Sequence, residues 1–387
     1  MKVAVLGGGP SGAMAAEKLA AAGIQTVVFD EKLAWEKPCG GGLTWKAYSQ
    51  YPFLVEGATP KKTVTDSILT APGGPSARLK LDHPILIYSR FDLNAMLLNR
   101  AAAAGAQLER TRVLGADRTD NGWNIRTKQG TVNADFCIMA AGARNPIRSL
   151  GTELTQGDSM TALGYFVPGD RDQIDIQFFA GLAGYIWIFP RCGHLSVGIC
   201  GKEPASSLRA RLDRYMAEQG ISKAGATYYG HVLPSLESRA WKSNRVAGDG
   251  WMAVGDAAGL VDPITGEGLY YALRSGDLAA QAIIDGSYDR YPLQLHQDIS
   301  DDLEFASRLA DHFYNGSFLW GSVTSRMLQF TRLSPTFRAM MQELFAGTQP
   351  YLGLRERVFG NLGKSLREIA WNKLIPRSAQ ANSNGLH

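Results

Sequence analysis

Apolar positions along this chain change their period twice. Val3 to Leu6 form a short β-rich run with no polar alternation, the pattern of a strand buried on both faces. A glycine turn follows, then the alanine-rich stretch SGAMAAEKLAAAG predicts a helix ending at Gly23, and TVVFD (Thr26 to Asp30) predicts a second buried strand. A βαβ unit therefore opens the chain. Ser89 followed by Asp92 is a helix-start signature for RFDLNAMLLNRAAAAG. Strand-like pieces recur at Gln107 to Val113, Trp123 to Thr127 and Phe136 to Met139. From Ala162 to Cys200 the period becomes two: Ile174, Ile176 and Phe178 alternate with Asp175 and Gln177. Tyr185, Trp187 and Phe189 share one strand face, Ile186 and Ile188 the other, and the turn RCGH leads to Leu195, Val197 and Ile199. This predicts an antiparallel sheet in a second lobe. Helix returns after Pro204, a strand at WMAVGD, and everything beyond Glu267 reads as helix until the polar tail RSAQANSNGLH, whose composition is that of a disordered terminus.

The first turn carries the first chemistry. Gly7-x-Gly9-x-x-Gly12 lies between the strand and the helix, where glycines permit a tight turn and close approach of a pyrophosphate to a helix N-terminus. Asp30, at the end of the second strand, stands where an acid meets a ribose hydroxyl. Alone the motif is weak; strand, helix and acid together predict a dinucleotide site. Far downstream, GWMAVGDAAGLVDPITGEGLYYALRSG resembles the second FAD fingerprint of glutathione-reductase-type flavoproteins. That resemblance implies FAD as cofactor, with Gly255 and Asp256 at the ribityl or pyrophosphate region. It also implies a turn built on Pro263, Gly266 and Gly268, and a helix N-terminus aimed at the flavin pyrimidine, where charge settles on reduction. Arg90 matches the arginine that such proteins place near the FAD phosphates or adenosine. ADFCIMAAGARNPIR resembles the flavin-hydroxylase strand followed by Ala-Asp-Gly, with Ala141 in the aspartate's position and Gly142 and Arg148 in place. The family connects that aspartate with the nicotinamide donor, so its replacement implies an external, ferredoxin-like donor more readily than direct NADPH use.

The stretch EKPCGGGLTWKA poses a separate question, because three consecutive glycines lose much chain entropy on ordering. KPCGGGL resembles the Pro-Cys-Gly-Gly segment of geranylgeranyl reductases, which hydrogenate isolated alkenes of prenyl chains. A second motif of that family, Tyr-x-Trp-x-Phe-Pro followed by Gly-x-Gly, is matched by Tyr185, Trp187, Phe189, Pro190 and Gly198, with Cys200 standing where the last glycine is expected. The resemblance implies a backbone of Gly40, Gly41 and Gly42 passing over the isoalloxazine ring. It further implies catalytic roles for Cys39, as proton donor or alkene-positioning group, and for Tyr185, Trp187 and Phe189, as a clamp for a polyprenyl chain. The expected function is FAD-dependent reduction of C=C bonds in an isoprenoid or similarly apolar substrate. The alternatives are a flavin-dependent monooxygenase or halogenase on the same fold, since YIWIFP partly echoes a halogenase element, and a flavin-carrying electron-transfer module.

The resulting fold is an α/β FAD-binding Rossmann-like domain of the glutathione-reductase/hydroxylase type, with an antiparallel-sheet substrate lobe and a C-terminal helical region. Residues 1–50, 75–155 and 240–290 are expected in the FAD domain, 51–74 and 156–239 in the substrate lobe, and 291–387 in the helical region. Composition adds limits. A length of 387 residues implies more than one core, and a net charge of +4 without basic runs gives no reason to expect nucleic acid. Cys39, Cys137, Cys192 and Cys200 form no Cys-x-x-Cys pair and the histidines show no metal spacing, so no metal site is expected and a reducing, cytoplasmic setting is. No secretory leader and no apolar run of about 20 residues is visible. In KSLREIAWNKLIPR, however, Leu366, Ile369, Ala370, Trp371 and Leu374 fall largely along one side among Lys364, Arg367, Lys373 and Arg377. That is the composition of an interfacial helix, and it predicts peripheral membrane contact.

Overall fold

In a computed structural model of the chain, residues 1–147 and 149–374 are described, without the side chains of Arg355, Lys373 and Leu374. Arg148, Arg377 and the polar tail thus lie outside the described residues. Strand Lys2–Leu6 lies at the centre of a six-stranded sheet, hydrogen-bonded in parallel to Gln25–Asp30 on one side and Phe136–Met139 on the other. Gln107–Arg110 and Trp251–Ala253 extend the parallel array, and Ala247–Gly248 closes one edge antiparallel. Strand order reverses direction at Lys2–Leu6, so the crevice beyond its carboxyl end is where ligands bind in such sheets. Helix Pro10–Ala21 starts there, with its inner face of Ala13, Met14, Ala16 and Leu19 buried. Ser89 caps helix Arg90–Ala103, accepting the amide of Asp92, as its sequence signature predicts.

The second lobe is an eight-stranded sheet in the order Thr227–Pro234, Ser159–Pro168, His194–Gly201, Gly184–Arg191, Gln173–Phe178, Lys61–Thr70, Ser76–Tyr88, Gly42–Leu43. All its neighbours are antiparallel except Gln173–Phe178 with Lys61–Thr70. Helix Ala205–Glu218 covers the face carrying Ile186, Ile188, Val197 and Ile199. Helices Val323–Leu333 and Pro335–Ala346 pack on the opposite face through Leu328 and Met341.

Four expectations need correction. Ser76–Tyr88 falls in the range assigned to the FAD domain but forms a hairpin with Lys61–Thr70 in the larger sheet. Its own alternation explains this: Ala77, Leu79 and Leu81 are buried while Ser76, Arg78, Lys80 and Asp82 are exposed. Gln107 to Val113 is not one strand, because Gln107–Arg110 joins the six-stranded sheet and Val113–Thr119 begins a separate three-stranded one. Arg191 is not a turn residue; it ends strand Gly184–Arg191 and is fully buried. The C-terminal region is not wholly helical, since Ser317–Phe318 and Gly321–Ser322 form a hairpin whose turn holds Leu319 and Trp320 at φ 48° and 58°.

Candidate active site

Between the two lobes lies one large cavity of about 2070 Å³, open mouth included. Gly9, Cys39, Gly40, Gly41, Gly42, Arg90, Gly142, Tyr185, Trp187, Phe189, Asp256, Gly266 and Gly268 all line it. Gly7, Gly12, Asp30, Gly255 and Pro263 do not.

Those five shape the walls from behind. A Cβ on Gly7 would lie 2.2 Å from the carbonyl oxygen of Ala140, and one on Gly12 would lie 2.0 Å from that of Gly7, so strand, turn and helix close up only with glycine there. Gly255 donates its amide to Ser275 Oγ at 2.9 Å, and a Cβ on it would lie 2.9 Å from Ser11 Oγ. Pro263 is buried in the loop that Asp262 organises. Asp30 accepts the amide of Gly8 at 2.8 Å on one oxygen and those of Lys32 and Leu33 at 2.8 and 2.7 Å on the other. It therefore holds the glycine turn as well as standing where a ribose is expected.

The nucleotide end of the cavity is polar and incompletely satisfied. Arg90 is 3 % exposed, and its Nε has no partner among the described residues. His231, not singled out from the sequence, lines the cavity with an unpartnered Nε2. Burial first, then the positive charge of Lys37, pushes its pKa down to about 3, so the imidazole stays neutral. A Cβ on Gly9 would meet nothing within 4 Å, leaving open space beside the helix N-terminus. Lys37 Nζ lies 3.3 Å from Asp256 Oδ2. Burial would raise the Asp256 carboxyl, but Lys37 and Arg90 hold it below the usual range. Orphaned buried donors, an amide-lined turn and two cations fit the pyrophosphate of a bound dinucleotide. Arg90, Lys37 and the Gly7–Gly12 turn would hold that group, and Asp256 its ribityl side. When bound, the flavin supplies two-electron redox chemistry to the adjoining space.

The triple glycine is explained by the protein's own packing. Cβ atoms on Gly40 and Gly42 would lie 3.3 and 3.1 Å from the ring of Phe189. Gly41 has φ 85°, and its Cβ would lie 2.1 Å from the Tyr88 carbonyl oxygen, to whose residue it also pairs: Tyr88 N donates to Gly41 O at 3.0 Å. Beneath this segment sits Arg191, which sequence reasoning missed. Its guanidinium donates to the carbonyls of Cys39 and of Gly40, the latter at 3.3 Å, and pairs with Glu36. Glu36 also accepts from Ser89 Oγ at 2.5 Å and from the amides of Arg90 and Phe91 at 3.0 and 3.3 Å. Burial would raise the Glu36 carboxyl; the Arg191 charge and those hydrogen bonds outweigh it and hold it low. Ser196 Oγ donates to Cys39 O at 3.0 Å, and Gly41 N donates to Cys39 Sγ at 3.3 Å.

Trp187, Phe189 and Tyr185 do share one strand face, but each is tied down. The Trp187 indole lies across Gly198, where a Cβ would be 2.3 Å from the ring, and its Nε1 donates to Ser196 Oγ at 3.3 Å. Phe189 is covered by the glycines. Tyr185 donates to Thr265 O, and burial holds its hydroxyl far above the usual range, so it stays neutral. Beyond them the cavity is apolar, lined by Ile174, Ile176, Phe178, Met327, Met341 and Phe345.

A second missed residue is Glu267. Its carboxyl faces the cavity and accepts Thr44 Oγ1 at 3.1 Å. Burial pushes its pKa up to about 7, with Asp262 adding to the rise and Lys46 and Thr44 opposing it. Asp262, by contrast, accepts the amides of Ile264 and Thr265 at 2.8 and 3.0 Å and the Tyr351 hydroxyl at 2.9 Å. Glu267 stands inside the Gly-Glu-Gly turn that the sequence displays, and its hydrogen-bonding poverty was not visible there.

The parallel nucleotide sheet, the buried Arg90 with Lys37 at its switch point and the adjoining apolar cavity define an FAD-dependent oxidoreductase. Residues 1–167 match the family model of the FAD binding domain. The chain is 30% identical over 342 residues to digeranylgeranylglycerophospholipid reductase 2 of Methanothermobacter thermautotrophicus, covering 78% of this chain and 85% of that one. It is 28% identical over 323 residues to the chloroplastic geranylgeranyl diphosphate reductase of Nicotiana tabacum, covering 74% and 67%. Among solved structures, a geranylgeranyl bacteriochlorophyll reductase-like protein of Thermoplasma acidophilum shares the fold, with a TM-score of 0.76, 23% identity and coverage of 94% and 98%. The chain belongs to the geranylgeranyl reductase family of FAD-dependent oxidoreductases.

Proposed function

We propose that this protein reduces C=C bonds of an isoprenoid or similarly apolar chain, using FAD. The carrying observation is one continuous cavity, polar where the dinucleotide turn opens into it and apolar along the sheet and the two C-terminal helices. Such a shape takes an extended hydrocarbon beside a flavin and excludes water from it. The test is anaerobic photoreduction followed by mass spectrometry of prenyl lipids. A gain of two hydrogens per reduced bond supports the reading; a stable oxygen adduct of the flavin and a hydroxylated or halogenated product overturn it.

The donor is proposed to be an external reduced partner, because Ala141 replaces the aspartate that hydroxylases use with nicotinamide. Bleaching of the flavin by NADPH in stopped flow is expected to be far slower than turnover. Equal rates would refute this, and NADPH would be the donor.

Substrate of this kind resides in membranes, and no helix among the described residues is long and apolar enough to cross one. Helix Leu354–Leu374 supports peripheral attachment through an inverted amphipathic arrangement. Leu354 packs into an apolar cluster at its start, but over its last turns the inward contacts are polar: Ser365 is buried, Glu368 accepts from Ser334, Thr336 Oγ1 and the Thr336 amide, and Asn372 donates to Leu333 O. Leu366 and Trp371 point out, 44% and 67% exposed, beside exposed Lys364 and Arg367. Each basic residue near an anionic surface adds about 1 kcal/mol. Flotation with anionic liposomes is expected to fall about tenfold or more in a Leu366→Ser, Trp371→Ser variant that keeps its flavin. Unchanged flotation would place attachment elsewhere.

A further inference from the structure

We propose that Glu267 is the acid that delivers the proton of the reduction, held in register by Thr44. This rests on the reductase reading. Alkene reduction adds a hydride to one carbon and a proton to the other. A bound, reduced flavin would supply the hydride with its electron pair, which leaves the proton to a group of this chain. Among the groups lining the cavity, Tyr185 is half-buried and its hydroxyl already donates to Thr265 O. Cys200 is buried and its thiol lies 3.9 Å from the Tyr185 carbonyl. Glu267 differs. It sits immediately before Gly268, the N-cap of helix Leu269–Ile284, and lines the same cavity as Cys39 and Thr44.

Two neighbouring carboxyls with opposed surroundings assign the roles. Asp262 takes two amides and a tyrosine hydroxyl and organises the loop. Glu267 takes one hydroxyl, from Thr44, as its hydrogen-bond donor among the described residues. The charged and titratable groups around it are Lys46 beside Thr44, Asp262 in its own loop, and Tyr270 and Tyr271 on the helix that follows. Lys46 lies over the rings of Tyr270 and Tyr271 at 4.6 and 5.2 Å. Burial therefore prevails, and the carboxyl carries a proton up to about pH 7. In turnover the O–H bond of Glu267 breaks, the proton forms the new C–H bond, and the carboxylate regains a proton from solvent before the next cycle.

The test is single-turnover oxidation of photoreduced holoenzyme by a prenyl lipid between pH 5 and 9. The wild-type rate is expected to fall tenfold per pH unit above about 7. Glu267→Gln should lose the rate on the order of 10²–10³-fold, lose the pH dependence, and keep flavin content and photoreduction unchanged. Thr44→Val removes a donor that stabilises the carboxylate, so its limb should move to higher pH. Independently of turnover, infrared difference spectra should show a protonated-carboxyl band that titrates near pH 7 and is missing in Glu267→Gln. An active wild type with Glu267→Gln unchanged in rate and pH profile overturns this assignment alone. A Thr44→Val limb that stays in place removes the positioning role. A wild type that reduces no prenyl lipid at any pH overturns the functional reading, and this assignment with it.

Discussion

Arg191→Met is expected to destabilise the fold by about 3 kcal/mol or more and to weaken flavin binding severely. The substitution preserves apolar volume but leaves Glu36 half-buried without its cation, and breaking a buried pair from one side costs about 3–5 kcal/mol. The lower end applies, because Glu36 keeps Ser89 and the amides of Arg90 and Phe91. Binding suffers for a different reason. The carbonyls of Cys39 and Gly40 lose their donors, so the glycine segment that walls the cavity loses its anchor. Arg90, whose amide shares Glu36, is the phosphate candidate and shifts with it. Urea unfolding gives the first effect and flavin release followed by fluorescence the second. Arg191→Lys retains charge but not the forked geometry and should fall between. Adding Glu36→Gln to Arg191→Met should recover part of the stability and little of the flavin affinity. A single methionine variant within about 1 kcal/mol of wild type, with full flavin, would refute the anchoring role.

What the sequence disclosed and what it hid divide along sequence distance. The opening βαβ unit, the Ser89 cap and the alternation of Tyr185, Trp187 and Phe189 rest on neighbours within a few residues, where propensity and period suffice. The pair Arg191–Glu36 joins residues 155 apart, and nothing local distinguishes that arginine from a solvated one at a turn. The triple glycine was half legible. Its demand for a flat, close neighbour was readable, and Gly40, Gly41 and Gly42 do line the cavity. That Phe189 lies against Gly40 and Gly42 required the eight-stranded sheet to bring the two motifs together. Ser76–Tyr88 was misassigned although its alternation is clear, because residence in one sheet or another depends on pairing partners. Glu267 is visible in the sequence only as the middle of a Gly-Glu-Gly turn. Its importance comes from having one hydrogen-bond donor where Asp262 has three, and satisfaction of that kind is a property of the folded site.

Cys39 is the remaining residue whose role a single experiment divides. Its carbonyl is gripped by Arg191 and Ser196, and its thiol accepts the Gly41 amide, so the side chain has a fixed place against the cavity. A group so placed acts on the reaction in one of two ways, as an acid or as a wall that sets where the alkene lies. With Glu267 proposed as the acid, Cys39 is expected to act as the wall. Displacement of a reacting group by about 1 Å costs on the order of 10²-fold, so Cys39→Ala and Cys39→Ser should each lose alkene reduction by about that factor. Both should retain flavin, since the side chains facing the nucleotide end are elsewhere, and both should retain the fall in rate above about pH 7 set by Glu267. The alternative carries a different signature. If the thiol were the proton donor, alanine would lose more than serine, on the order of 10²–10⁴-fold, and the pH limb would vanish in Cys39→Ala while persisting in Glu267→Gln. Wild-type turnover in both cysteine variants would end either role and leave the close packing of the glycine segment as the reason for a small side chain at position 39.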